Sequence, residues 1–257
     1  MGQLTQRLLN GVMTETGLQF CPVRVRAGLA KGAWWTAFPF SSNWRCGGEP
    51  EIERALRLLR QTKGAVCWDL GAHFGIHTIG LALEVGPHGQ VCAFEPDPVA
   101  FMRLQRHARM NKLDNVRLFN LAASNTDGRL KMIVAAGLGS TVTHAKYEDE
   151  VVSPESELLS VQCVRLDTLV EAGEVKSPAF VKVDVEGHGA KALAGAASTI
   201  ERALPVIVLS VHSQPEWEGS RSLLQPLGYR PRGRWPECCG ADAWAAPAGL
   251  EVVILST

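Results

Sequence analysis

The sequence predicts an α/β fold, a mostly parallel sheet with helices on both faces. Three observations carry that expectation. From residue 49 onward, short apolar runs alternate with segments of helical period; a glycine-rich turn follows the first clear strand; and an acid ends the second strand. Strands separated by helices imply parallel βαβ units, because a parallel neighbour can be reached only by a crossover.

Residues 1–48 hold an aromatic cluster, Trp34, Trp35, Phe38, Phe40 and Trp44, broken by Pro39, Gly47 and Gly48. They read as an extension or lid packed on a single domain of residues 49–257. The aromatics suit a wall over an acceptor pocket as well as they suit a packing or dimer surface, so a homodimer stays open. Ile52, Leu56 and Leu59 then recur at helical spacing, with Glu51, Arg54, Arg57 and Arg60 on other faces. Residues 65–70 form a strand, 76–84 a helix, 91–94 a strand, 98–111 a helix and 116–123 a third strand. Residues 180–185 and 206–211 are further strands, with one helix over 190–203 between them, and 251–256 close the chain as a strand. The rhythm breaks over 129–165. Two strand-like runs, 129–135 and 159–165, flank a polar stretch with Gly137, Gly139 and Pro154. This predicts a β-hairpin insertion carried on the main sheet, its connection around residues 146–157 mobile without ligand.

A chain of 257 residues, 46% apolar and 20% charged, suits one large α/β domain. Its formal net charge of zero argues against a nucleic-acid partner. No apolar run approaches the ~20 residues of a transmembrane helix. The start of the chain lacks the layout of a secretory signal, and Gln6 stands where a myristoylation motif takes Ser or Thr. Seven cysteines without a CxxC pair read as reduced thiols in a cytoplasmic protein, with Cys67 and Cys92 buried in strands and Cys238-Cys239 in an irregular loop.

The chemistry starts at Asp69-Leu70-Gly71-Ala72-His73-Phe74-Gly75, between a strand and a helix. Glycines there let the backbone turn sharply and approach a ligand. Glu95 lies 24 residues after Gly71, close to the spacing at which a nucleotide-binding unit places an acid on a ribose. Loop and acid together point to a nucleoside-type cofactor. The glycines lack the G-x-G spacing of dinucleotide enzymes. Asp69 would repel a pyrophosphate but attract the ammonium of a methionine group, which favours S-adenosylmethionine over a nicotinamide dinucleotide.

These residues resemble the FkbM-type methyltransferases. Asp69-Leu70-Gly71-Ala72, Gly75 and Thr78, then Ala93-Phe94-Glu95-Pro96, look like the cofactor motifs of that family. Leu166-Asp167-Thr168-Leu169, Val181-Lys182-Val183-Asp184-Val185-Glu186-Gly187 and Ala194-Gly195-Ala196 look like its second half. The resemblance implies a class I methyltransferase (Rossmann-like) fold, a seven-stranded sheet whose last strand runs antiparallel. It implies O-methylation of a sugar, glycolipid or polyketide-type acceptor, with the cofactor held by Asp69, Gly71, Ala72, His73, Gly75, Thr78, Glu95 and Pro96 and with Ala122 near the adenine. Three positions depart from the family. His73 stands in place of Asn, Gly189 in place of an acid after the Asp-Val-Glu-Gly element, and Ser210 in place of an acid in the next strand.

Alternation puts Lys182 and Asp184 on one side of their strand and Val181, Val183 and Val185 on the other. A charged pair inside a sheet needs partners, so an internal pairing of Lys182 with Asp184 or Glu186 competes with a catalytic reading. In the catalytic reading Asp184 and Glu186 leave the carboxyl end of the central strand, where α/β sheets bind ligands. His73, His77, His188 and His212 also fall near strand ends. With no HExxH and no pair of histidines on one helix, no metal site is expected from them. Candidates for the chemistry are Glu186, Asp184, His188, His212 and Lys182. Two rival readings are a non-catalytic S-adenosylmethionine-binding protein and a nicotinamide-dependent oxidoreductase.

Overall fold

The computed structural model describes residues 21–36, 50–135, 146–147, 156–235 and 251–257. Phe38, Phe40, Trp44, the Cys238-Cys239 pair and residues 148–155 of the hairpin connection lie outside the described residues. Strands β1 (Pro22–Arg24) and β2 (Trp34–Thr36) pair with each other, and helix α1 (Pro50–Leu56) leads into the main unit. Next come β3 (Val66–Leu70), α2 (Ile76–Val85), β4 (Gln90–Phe94), α3 (Pro98–Met110) and β5 (Val116–Phe119). The excursion comprises β6 (Ala122–Ala123), β7 (Gly128–Ala135), β8 (Lys146–Tyr147) and β9 (Ser156–Val164). The second half holds α4 (Leu166–Glu171), β10 (Phe180–Val183), α5 (Gly189–Ala194), α6 (Ala197–Ala203), β11 (Val206–Val211), α7 (Gln214–Leu224), β12 (Arg230–Trp235) and β13 (Glu251–Ser256).

The main sheet has seven strands in the order β12-β13-β11-β10-β3-β4-β5. All pairings from β11 to β5 are parallel, and β13 runs antiparallel to both its neighbours. The class I methyltransferase fold is therefore present. Strand alternation sorts the core into two layers. Cys67, Val91, Phe180, Val208 and Ile254 face α1 and α2, while Trp68, Leu70, Val181, Val183, Ile207 and Leu209 pack with Leu169, Leu193, Ile200 and Trp217 of the helices on the other side. Lys182 sits opposite Asp69 in the β10–β3 register, and its parity sends it to the α2 side. Among the described residues no helix is long and apolar enough to cross a membrane.

Two expectations about elements need correction. The hairpin is not carried on the main sheet. It forms a second sheet, β6-β9-β7-β8, with its own core of Ala122, Met132, Val161 and Cys163. The chain leaves the main sheet at Asn120, whose amide donates to Glu95 O at 2.8 Å and Pro96 O at 3.1 Å and so ends the strand expected to run to residue 123. The single helix expected over 190–203 is two. A side chain at Gly195 would overlap the Ser124 carbonyl, and Gly195 ends α5 there. Asp167 starts α6 anew by accepting from Ser198 N, Thr199 N and Thr199 Oγ1 at 3.1, 2.9 and 2.7 Å.

The described part of the N-terminal extension is packed onto this frame. Val25, Ala30, Ala33 and Trp35 share a core with Phe74, Ile76, Ile79 and Ala100. Cys67 and Cys92 are buried free thiols, and burial pushes them up to about 12 and about 11.

Candidate active site

The turn after β3 is built by two glycines at positive φ. Gly71 has φ 77° and Gly75 φ 91°. A Cβ on Gly71 would overlap the Asp184 carbonyl oxygen, so only glycine lets this turn lie against the end of β10. The N–H groups of Gly71 and Ala72 both donate to Phe94 O at 3.0 Å, tying the turn to β4. His73 takes φ 50°, and its backbone N–H donates to Glu95 Oε2 at 2.7 Å. The departure from Asn at this position is thereby explained, since histidine is among the few residues enriched in the left-handed region.

Glu95 follows β4 and is 6% exposed. Its Oε1 accepts from Asp97 N at 2.9 Å while Oε2 takes His73 N, so the carboxylate spans the mouth of the glycine turn. Burial pushes its carboxyl up to about 7, against the pull of the two backbone N–H groups. Each oxygen keeps a further acceptor site for a ligand hydroxyl. Pro96 follows, held by Asn120.

Three residues expected on the cofactor are buried within the protein. Asp69 and Thr78 are fully buried, with Thr78 Oγ1 donating to Asp69 Oδ2 at 2.6 Å and Lys182 Nζ lying 3.3 Å from Oδ1. They brace the turn from beneath, because strand parity turns Asp69 into the α2 layer. Ala122 is packed in the core of the small sheet.

Lys182 is 2% exposed and joins the two halves of the site. Besides Asp69, its ammonium meets Asp184 Oδ2 at 3.5 Å and donates to Gly71 O at 3.2 Å. The internal pairing of Lys182 with Asp184 weighed from the sequence is thus present, with Asp69 added. Burial works to raise the Asp184 carboxyl, but Lys182, His212 and His77 outweigh it and hold the group below the usual carboxylate range. Asp184 Oδ1 faces His212 Nε2 at 3.4 Å, and Glu186 Oε2 faces the same nitrogen at 3.5 Å. Glu186 reaches this place from a left-handed backbone, φ 49°, followed by Gly187 at φ 94°.

Behind His212 stands Glu216, which the sequence reading missed. It is 2% exposed, accepts from Gly189 N and His212 N at 2.7 Å each, and lies 3.5 Å from His212 Nδ1. A Cβ at Gly189 would come within 2.6 Å of Glu216 Oε1, which accounts for glycine where an acid was expected. The signal was Ser213-x-x-Glu216, a capping pattern directly after a strand; Ser213 Oγ does accept from Glu216 N at 3.3 Å. Ser210, the third departure, is buried within β11.

The four histidines separate. Burial lowers His73 and His77 to about 4, helped by Lys182. His188 is buried and shares a hydrogen bond of 3.0 Å between its Nε2 and Ser124 Oγ, a packing position outside the Asp184–Glu186–His212 group. His212 is raised. Burial opposes the shift, but contact with Glu216 and the charges of Glu186 and Asp184 prevail.

Comparison with known proteins gives this arrangement a context. Residues 69–231 match the family model described as Methyltransferase FkbM domain. The hexuronic acid methyltransferase AglP of Haloferax volcanii is 30% identical over 167 residues, 65% of this chain; the chain spans 63% of that relative's length. The 2-O-methyltransferase NoeI of Sinorhizobium fredii is 27% identical over 195 residues, covering 70% of this chain and 77% of that protein. A solved structure described as an rRNA methylase of Clostridium thermocellum covers 80% of this chain and 93% of its own, with a TM-score of 0.50 and 12% identity, a likeness of fold.

Proposed function

The chain belongs to the FkbM methyltransferase family, and from that membership we propose that it methylates a hydroxyl of a sugar-like small molecule, using S-adenosylmethionine. The observation that carries the reading is the meeting of the two halves. The glycine turn and Glu95, which suit a nucleoside, lie against the strand end that holds Asp184, Glu186 and His212.

The residues present fit the cofactor. The backbone of Gly71, Ala72, His73 and Gly75 forms a turn kept open by its two glycines, and the further acceptor sites of Glu95 suit the two ribose hydroxyls, with Pro96 shaping the same turn. When bound, S-adenosylmethionine supplies an activated methyl group on a sulfonium. The chain's own residues do the rest. Lys182 fixes Gly71 and Asp184 relative to each other, so the cofactor turn and the acceptor face keep one geometry. Positioning of this kind supplies ~7–11 kcal/mol in favourable cases. Asp184, ionised and paired with Lys182, is a poor proton acceptor. Removal of the acceptor's proton falls to Glu186 and His212, with Glu216 orienting the imidazole, help worth ~10²–10⁴-fold. A sugar acid is the acceptor class favoured by the name of the hexuronic acid methyltransferase, and a hydroxyl oxygen by the name of the 2-O-methyltransferase.

The test is incubation with S-adenosylmethionine and a panel of uronic acids, neutral hexoses and their glycosides, following S-adenosylhomocysteine and the mass of the acceptor. A sugar that gains one methyl is the expected result. Cofactor binding with no transfer to any hydroxyl in the panel, or turnover of a nicotinamide dinucleotide instead, overturns the reading.

A further inference from the structure

We infer that Asp184, Glu186 and His212 form a binding site for one divalent cation, with Glu216 as the group that orients the histidine ligand. The inference deepens the proposed methyl transfer and rests on it only for the cation's part in turnover; the binding itself stands on the side chains described.

The donor atoms converge. One oxygen from each acid and one nitrogen of His212 all lie within 4.8 Å of one another. The edges from His212 Nε2 to Asp184 Oδ1 and to Glu186 Oε2 are 3.4 and 3.5 Å. With metal–ligand bonds of about 2.1 Å, neighbouring ligands stand about 3.0 Å apart in an octahedron and about 3.4 Å apart in a tetrahedron, so these edges need little adjustment. A mixed set of one imidazole and two carboxylates suits a divalent first-row cation.

Two further observations support the site. The first is behind the histidine. The far ring nitrogen, Nδ1, faces the buried Glu216 carboxylate at 3.5 Å, and Glu216 is fixed by two backbone N–H groups. A carboxylate behind a histidine sets its tautomer and turns the other nitrogen toward a metal. The second is charge. The contact chain Asp69–Lys182–Asp184–His212, with Glu186 and Glu216 on the same imidazole, holds four carboxylates and one lysine among the described residues. With a neutral imidazole its formal charge is strongly negative, and a divalent cation offsets more of it than a proton on His212. Lys182 takes Asp184 Oδ2 and leaves Oδ1, the oxygen turned toward His212, for the ion. Placed there, a cation would sit at the carboxyl ends of β10 and β11 and could hold an acceptor hydroxyl through its oxygen, lowering the cost of removing its proton; with His212 Nε2 and one Glu186 oxygen on the ion, the proton would go to the other Glu186 oxygen and not to His212.

The experiment is titration of the metal-stripped full chain with Mn²⁺, reading free Mn²⁺ by electron paramagnetic resonance and the His212 ring signals by NMR. We expect one ion per chain with a dissociation constant below about 1 mM and selective broadening of the His212 ring. Glu186→Gln should weaken binding by ~10-fold or more, and Glu216→Gln by ~10–100-fold. Glu186 is the most exposed of the three ligands, and the broadening is read in the wild-type chain, so the test survives a variant that folds poorly. Unbroadened His212 signals, or no bound Mn²⁺ and no Zn²⁺ or Mg²⁺ in its place, overturn the site and leave a proton on His212 as its counter-charge. Full methyl transfer in excess chelator overturns the cation's part in turnover while sparing the proposed function. A bound ion at this site with no methyl transfer supports the site and counts against that function.

Discussion

The imidazole of His107 lies flat against the indole of Trp35, ring centroids 3.7 Å apart and planes 15° from parallel. Its Nδ1 donates to Phe74 O at 2.7 Å, so Nε2 is the acceptor, taking Thr36 Oγ1 at 2.7 Å and Thr36 N at 3.2 Å. One side chain on α3 thus ties the N-terminal hairpin to the glycine turn. His107→Ala should cost about 2–4 kcal/mol, from stacking lost and two buried partners stranded. Urea denaturation measures it, and a loss under about 0.5 kcal/mol would show that the hairpin docks without this link.

Acid should act through the same ring. Burial lowers His107 to about 4 from an ordinary value of 6.5. Unfolded chains therefore bind the proton first. The stability this ring contributes is fully present above pH 6.5 and is lost as pH falls toward 4, at up to about 1.4 kcal/mol per unit. His73 and His77 share the window and the sign. Denaturation midpoints between pH 7 and 4 should fall more steeply for the wild type than for His107→Gln; equal slopes count against a neutral buried ring.

Glu95 has the opposite sign in the free protein. Its carboxyl is raised to about 7 from 4.5, so its contribution to stability is present at low pH and declines as pH climbs from about 4.5 to about 7. Ribose hydroxyls favour the ionised form, so affinity for S-adenosylhomocysteine should rise across the upper part of that window. Glu95→Ala should weaken binding by at least ~10-fold, and Glu95→Gln should flatten the pH dependence. Calorimetry at pH 6 and pH 8 reads both; unchanged affinity in Glu95→Ala removes Glu95 from the cofactor site.

Asp69→Asn separates bracing from ligand contact. Breaking a buried ion pair costs ~3–5 kcal/mol, so the variant should melt well below the wild type. An unchanged melting temperature together with lost cofactor affinity would return Asp69 to the ligand.

Single-turnover methylation of an identified acceptor should rank the remaining groups. Glu186→Gln and His212→Ala should each slow transfer by ~10²-fold or more with cofactor affinity nearly intact. Asp184→Asn should damage folding or cofactor binding as well, because Lys182 loses a partner. His188→Ala should lower stability and spare the rate, given its bond to Ser124. Near-normal rates in both Glu186→Gln and His212→Ala would mean that neither one alone carries the proton.

The strands buried on both faces were legible because an apolar run needs no partner to declare itself; β3, β4, β10 and β11 fall within one or two residues of expectation. The edge strand β12, Arg-Pro-Arg-Gly-Arg-Trp, was not, because arginines and a proline on a sheet edge imitate a loop. Helix α7 escaped for a related reason, its apolar stripe thin among polar residues. In the site, Gly71, Glu95 and the Asp184–Glu186 pair were readable from their places at strand ends. The burial of Asp69 and the role of Glu216 were not. Each depends on which strands adjoin and in what register, and a sequence without its partners leaves register unstated.

Gly71 has no side chain because the carbonyl of Asp184 occupies that space, and its own oxygen is held by Lys182. The two turns therefore cannot shift independently, and occupancy of either becomes a thermodynamic matter for both. Any factor by which bound cofactor tightens the hold on an acceptor must reappear, unchanged, as the factor by which acceptor tightens the hold on cofactor. Were cofactor and acceptor to bind as proposed, the coupling between spent cofactor and methylated product would belong to the fold as much as to the chemistry.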